Sequence, residues 1–414
     1  MKFLIIYFLM SPLTLSLQVS NRTLRFRDSK LLPLFKVITF PNDPCGTGGA
    51  RNGTCYTKEE CQAKGGSFSG SCASGFGVCC TFQLKCGGTT SQEFSYLIQS
   101  STSMSPSSGS CTYKICRSSD EICRIRLDFI TFSIAGPVAG TTVTKAAGAI
   151  STLGGAIGDC TKDSFSVTSP GQSGSPVICG FNSGQHMIVD ASDSCNLAAF
   201  NIGGMGSTRA WEVKVTQYPC GSDLGGPSGC LQYFMGKSGV IASYNFPTKS
   251  TTVTNTVTHL SNQNYRICIK QEQGMCAICY IPSIVPGTPT EDNQVSFGLS
   301  ISKPAATAKS SQGTNCQSDY LFIPNVEAAP VNLAIALGAA PGRVCGRIFS
   351  TVDDDAATAS VCSRIKPFQI VVQTDLDEVT SDVAANADGA DTNEMSLGPG
   401  GIIGFSLNYQ QISC

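Results

Sequence analysis

The chain has 414 residues, 28 basic and 29 acidic side chains, and a formal net charge of −1. That balance excludes a whole-protein electrostatic drive onto nucleic acid or anionic lipid. Charged residues make up only 14%, and 43 glycines with 22 cysteines point to turn-rich β-structure held by disulfides.

Lys2 precedes the apolar run Phe3 to Met10, and small and polar residues follow around Thr14 and Ser16. This is the layout of a secretory signal peptide, residues 1–17, with cleavage near Ser16. Pro12 and Thr14 stop the run below spanning length, and no later stretch is apolar enough to cross a bilayer. The expectation is therefore a secreted, extracellular protein in which the 22 cysteines form up to eleven disulfides. A cysteine-rich zinc protein of the cytosol conflicts with that leader and with a histidine content of two, His186 and His259.

Residues 18–44 are a basic lead-in carrying Arg22, Arg25, Arg27 and Lys30. Asn21-Arg-Thr23 and Asn52-Gly-Thr54 are N-glycosylation sequons, so Asn21 and Asn52 are candidate glycan sites on a secreted chain. Residues 45–80 hold six cysteines, too many in too short a stretch for a conventional apolar core, so three bridges must carry the unit. Fifteen pairings are formally possible. The order of gaps and the closing Cys79-Cys80 resemble the clip domain of arthropod immune and developmental proteins. That resemblance implies Cys45–Cys79, Cys55–Cys72 and Cys61–Cys80.

Cys86-Gly87-Gly88 opens the next region, and Cys111-Thr-Tyr113-Lys-Ile115 follows. Ile125-Arg-Leu127-Asp-Phe129 is apolar on alternate residues, as a strand with one buried face is, and Phe132 and Ile134 continue after an offset that a bulge would produce. Then come Cys160-Thr-Lys-Asp163-Ser-Phe165, Val177-Ile-Cys179-Gly180, and the alternating strand Trp211-Glu-Val213-Lys-Val215 ending at Cys220. This ordered set resembles a CUB domain over residues 86–220. The resemblance implies an extracellular β-sandwich with bridges Cys86–Cys111 and Cys160–Cys179. Cys116 and Cys123 are additional and brace a hairpin or its neighbour; residues 135–158 form a long loop.

The same phrase recurs. Tyr265-Arg-Ile-Cys268, Cys316-Gln-Ser-Asp319-Tyr320, Arg343-Val-Cys345-Gly346 and a final strand to Cys414 repeat the order of the first copy. A duplicated module follows: a second, more divergent CUB-like domain at 221–414, with Cys316–Cys345 as the implied pair. No cysteine stands at the place of Cys111, which leaves Cys230 to find Cys268, Cys276 or Cys279. Residues 281–315 and 353–394 are further inserts. The expected fold class is all-β: two antiparallel CUB-like sandwiches behind a small disulfide-knotted unit, similar to secreted arthropod proteins with a cysteine-rich N-terminal unit and CUB-like repeats.

For chemistry, Gly171-Gln-Ser173-Gly-Ser-Pro176 looks like a serine-protease nucleophile loop. Both histidines follow Ser173, the wrong order for a chymotrypsin-like triad, and Ser175 replaces the last glycine of Gly-x-Ser-x-Gly. A Gly/Ser/Pro turn is the preferred explanation. Cys276-Ala-Ile-Cys279 reads as two structural half-cystines. The expectation is no enzyme and no required cofactor. Calcium alone has a case, since a hard cation wants oxygens converging from loops. The CUB resemblance implies Asp163 as a ligand in the first copy, with Asp190 or Asp193 beside it, and Asp319 with Asp375 or Asp377 in the second. The glutamate expected before the cysteine is missing from both. The function that fits is extracellular recognition of a protein or glycan. A self-associating matrix or cuticle component and a non-catalytic partner of a protease cascade are the alternatives.

Overall fold

The computed structural model describes residues 5–8, 35–46, 51–99, 109–138, 158–203, 209–248, 258–283, 296–300, 309–333, 342–376 and 402–414. Residues 1–17 (the backbone of 5–8 apart), Asn21, Asp377, and the insert stretches 139–157, 284–295, 301–308 and 377–394 lie outside the described residues. The chain divides into two compact units, Met1–Gln83 and Leu84–Cys414.

In the first unit the strands Pro44–Gly46, Asn52–Tyr56, Gly77–Thr81 and Ser67–Cys72 lie side by side in that order in one antiparallel sheet. Thr57 starts the short helix Lys58–Ala63, its hydroxyl accepting the Glu60 N–H at 3.1 Å. Bridges Cys45–Cys79, Cys55–Cys72 and Cys61–Cys80 take the place of an apolar core. A Cβ on Gly66 would stand 2.3 Å from the Cys80 sulfur, so a glycine is what lets the chain pass the bridge.

The second unit holds two β-sandwiches of matching topology. In the first, Asp163–Thr168, Asn196–Ile202, Gly109–Ile115 and Thr89–Thr90 make one sheet, the last strand parallel. The facing sheet runs His186–Asp190, Ile122–Ser133, Ala210–Pro219 and Phe94–Ile98. Alternation does the work expected of it: Ile125, Leu127 and Phe129 are buried, and a register shift between Phe129 and Thr131 turns Ile130 outward and brings Phe132 in. Phe165, Phe200 and Trp211 fill the space between the sheets, with Trp211 stacked on Phe200 at 4.3 Å between centroids.

The second sandwich repeats this plan. Tyr320–Phe322, Phe368–Gln373, Asn264–Ile269 and the parallel strand Gln232–Phe234 reproduce the order of the first copy's first sheet, extended by Arg343–Gly346 and Ser310–Gln312. Val361–Ser363, Met275–Pro282, Gly404–Ser413 and Ser238–Ala242 reproduce the facing sheet. Disulfides Cys123–Cys220 and Cys276–Cys414 occupy equivalent places in the two copies, as do Cys160–Cys179 and Cys316–Cys345.

Other bridges separate the copies. Cys86 bonds Cys111, ahead of Tyr113 on its strand, whereas Cys230 bonds Cys268, beyond Tyr265 on the matching strand. The anchor of the parallel strand has moved along its partner, which is why the place of Cys111 is empty in the second copy. Cys116–Cys195 and Cys279–Cys362 are cross-strand bridges at different positions.

Candidate functional site

Asp163 opens the edge strand Asp163–Thr168 and Asp319 directly precedes the strand Tyr320–Phe322, each beside the end of a neighbouring strand, and there the copies part chemically. The Asp163 carboxylate accepts two bonds from the Arg209 guanidinium, at 2.6 Å from Nε and 2.9 Å from Nη2. It also takes the backbone N–H of Ala135 at 2.8 Å and of Gly203 at 3.1 Å. Both charged side chains are almost wholly enclosed, at 1% and 0% relative exposure. Burial pushes the carboxyl up, but the Arg209 and backbone bonds outweigh it and hold Asp163 below the usual carboxylate range.

In the second copy the Asp319 carboxylate accepts the backbone N–H of Asp375 at 2.9 Å, the place Gly203 holds in the first. Asp319 is buried and Asp375 half-buried. The Asp375 carbonyl in turn accepts the N–H of Asn262. Two acidic residues thus meet at this corner.

The sequence-derived ligand sets therefore divide. Asp163 is opposite Ile202, at one end of the strand Asn196–Ile202, while Asp193 precedes the other end. Six strand steps of about 3.3 Å put roughly 20 Å between those ends, so one ion cannot take both. Asp193 is instead paired with Arg117 at 2.7 Å, and Asp190 with Arg124. In the first copy a guanidinium already neutralises the Asp163 carboxylate, and Gly203 stands where the second copy has an aspartate. A Cβ at Gly203 would lie 2.3 Å from the Lys162 carbonyl oxygen, so the backbone closes that position to a side chain. The second copy brings Asp319 and Asp375 together, but two carboxylates fall short of the six to eight oxygens calcium takes. Among the described residues no three His, Cys, Asp or Glu side chains are gathered as a metal site.

Arg209 was not singled out by sequence. Its one signal is a lone cation in a Gly/Ser/Thr-rich passage, two residues before the core Trp211, where a buried charge needs a partner.

The protease-like turn covers a sheet edge. Ser175 donates its N–H to the Val167 carbonyl at 2.9 Å, and its hydroxyl accepts the Val167 N–H at 2.8 Å. Phe165 and Ile178 exchange a further pair of backbone bonds. The edge strand Asp163–Thr168 is thereby capped by its own following loop. Neither histidine is available to Ser173: His186 Nε2 accepts the Tyr233 N–H at 2.9 Å, and the His259 ring nitrogens lie 3.2 Å from the carbonyls of Leu260 and Leu299. Burial pushes His259 below its ordinary value. Cys276 and Cys279 bond separate partners, Cys414 and Cys362. Asn52 is exposed at the start of its strand, and Thr54 of the same sequon is buried.

Residues 227–412 match the family model of the animal CUB domain. No curated protein matches the chain in sequence. Among solved structures, the CUB1-EGF-CUB2 domain of human MASP-1/3 is similar at 14% identity, covering 78% of this chain and 100% of that one, with a TM-score of 0.21. The CUB1-EGF-CUB2 domains of rat MASP-1 share 13% identity over 80% of this chain and 99% of theirs, with a TM-score of 0.22. A MASP-1 CUB2 domain bound to Ca2+ shares 17% identity over 32% of this chain and 98% of its own, also at 0.22.

Proposed function

We propose that this chain is a secreted, non-enzymatic recognition protein that binds an extracellular protein or glycan through its CUB-like domains. The carrying observation is the animal CUB match over residues 227–412, a module of general binding type, within an all-β fold. Antiparallel sandwiches present loops at their ends, and loops on a rigid scaffold commonly carry recognition. In this reading residues 45–80 are a clip-like unit, 86–220 and 221–414 are the two CUB-like domains, and residues 1–17 are a leader removed on secretion. Calcium enters at the second copy alone, where Asp319 and Asp375 would contribute carboxylate oxygens and order the surrounding loops.

The test is capture from the source animal's extracellular fluid by the full secreted chain, with calcium and with a chelator. A distinct partner, captured with calcium and lost on Asp319→Ala, supports both recognition and the ion. Capture indifferent to chelator keeps recognition and removes calcium. Recovery of this chain alone, as oligomers, overturns the reading in favour of a self-associating matrix component.

A further inference from the structure

The two sandwiches share a buried joint. The outer strand His186–Asp190 of the first copy has its free edge covered by the segment that leads into the second copy. Ile188 donates to the Leu231 carbonyl at 2.7 Å, Leu231 donates to Arg266 at 2.9 Å, and Gln232–Phe234 then pairs in parallel with Asn264–Ile269. One strand-like segment therefore bridges a sheet of each copy. Ile188, Cys230, Tyr233 and Cys268 form an apolar cluster beneath it. Arg124, itself buried, fastens the segment to the first copy through the carbonyls of Gly225 at 3.3 Å and Cys230 at 2.8 Å. Farther along, Asn182 and Asn245 cross the joint in opposite senses: Asn245 N–H donates to the Asn182 side chain at 2.8 Å, and Phe181 N–H to that of Asn245 at 3.1 Å.

His186 sits in the middle of this joint, 5% exposed. Its Nε2 accepts the backbone N–H of Tyr233, its carbonyl accepts the Tyr244 hydroxyl at 2.9 Å, and the Phe234 ring lies 4.9 Å away between centroids. Among the described residues, the charged and titratable groups around it are few. Arg126 and Asp128 stand on the neighbouring strand, paired at 2.8 Å, with Asp128 opposite His186 in register. Arg124 and Asp190 pair at the far end of the same two strands. The second copy contributes the Tyr233 and Tyr244 phenols, both kept protonated by burial.

We infer that the joint between the two sandwiches is an acid-sensitive latch, closed by neutral His186 and released when that ring takes a proton. A proton on Nε2 turns an acceptor into a donor facing the Tyr233 N–H, so the bond across the joint is lost. It also buries a second cation near Arg126. Solvating that charge requires the segment Gln232–Phe234 to leave the edge of His186–Asp190, while the disulfides within each copy stay as they are. Burial, helped by Arg126, lowers the ring from 6.5 to about 3 in the closed state. The open state regains the ordinary value, so acid favours opening: from pH 7 to pH 5 the open-to-closed ratio rises roughly 25-fold.

Amide hydrogen exchange on the full chain tests this, read at Ile188 and Tyr233, whose N–H groups bond across the joint, and corrected for the intrinsic pH dependence of exchange. Their protection should fall roughly 25-fold from pH 7 to pH 5, while Phe165 and Ile178 inside the first copy keep theirs. His186→Gln retains an acceptor and cannot titrate, so its joint amides should show no such fall. Equal loss in His186→Gln, or protection lost evenly across joint and interior in the wild type, overturns the proposal. If His186→Gln does not fold, the joint-against-interior comparison in the wild type decides alone.

Discussion

Replacing Arg209 by methionine is the sharpest probe of the first copy, because it removes a charge and keeps most of the volume. The Asp163 carboxylate then stays enclosed, holding its bonds from Ala135 and Gly203 but without the guanidinium that neutralises it. Removing one member of a buried pair costs about 3–5 kcal/mol, far more than a surface pair is worth. Trp211 is the chain's one tryptophan and lies in the same core, so its fluorescence during guanidinium unfolding reports this copy specifically. The pH dependence carries a sign. In the wild type the Asp163 carboxyl is lowered, so its stabilisation is present above the ordinary carboxylate range and lost as pH falls through the depressed value. In Arg209→Met the unneutralised carboxyl is raised instead, and protonation relieves the penalty on acidification. The deficit of the variant should therefore be largest at pH 7 and shrink toward pH 4. Asp163→Asn added to Arg209→Met should recover about half of the loss at pH 7, since it removes the stranded charge. A deficit below about 1 kcal/mol, or one that does not change with pH, would refute the buried-pair account.

Calcium should leave the Trp211 transition unmoved, because Arg209 already neutralises Asp163; a calcium shift there would show that the pair opens. If the second copy binds the ion, calcium should instead protect it against proteolysis, and Asp319→Ala should abolish that protection. Gly180 has φ +76°, and a Cβ on it would lie 1.8 Å from Asn245 Oδ1 across the joint. Gly180→Ala should destabilise the chain by about 1–3 kcal/mol in denaturant melts, with joint amides losing more protection than interior ones. Replacing Cys116 and Cys195 by serine together removes a bridge spanning 79 residues and should cost about 2–5 kcal/mol, read by the same Trp211 transition.

Much of the fold was legible in the chain because its signals are local. Ile125, Leu127 and Phe129 announce a half-buried strand by alternation, and the offset to Phe132 announces its bulge. The recurrence of Cys160…Asp163 as Cys316…Asp319 announces a duplicated module. Fold class follows from composition and from patterns a few residues long. Contacts between distant residues carry no such period. Arg209 meets Asp163 across 46 residues, and Cys230 finds Cys268, not Cys276 or Cys279, only once the parallel strand Gln232–Phe234 is set beside Asn264–Ile269. The two copies spell the same Cys-x-x-Asp, yet one aspartate faces a guanidinium and the other the backbone of a second aspartate. That difference is made by Arg209, which reaches Asp163 from the residue before the strand Ala210–Pro219. The joint at His186 is likewise invisible in sequence, since a lone histidine at the head of the apolar run Met187-Ile-Val189 reads as an ordinary side chain. Sequence by itself determined which segments become strands and that the module is doubled; tertiary structure alone decided which charges are neutralised within the fold and how the copies are fastened.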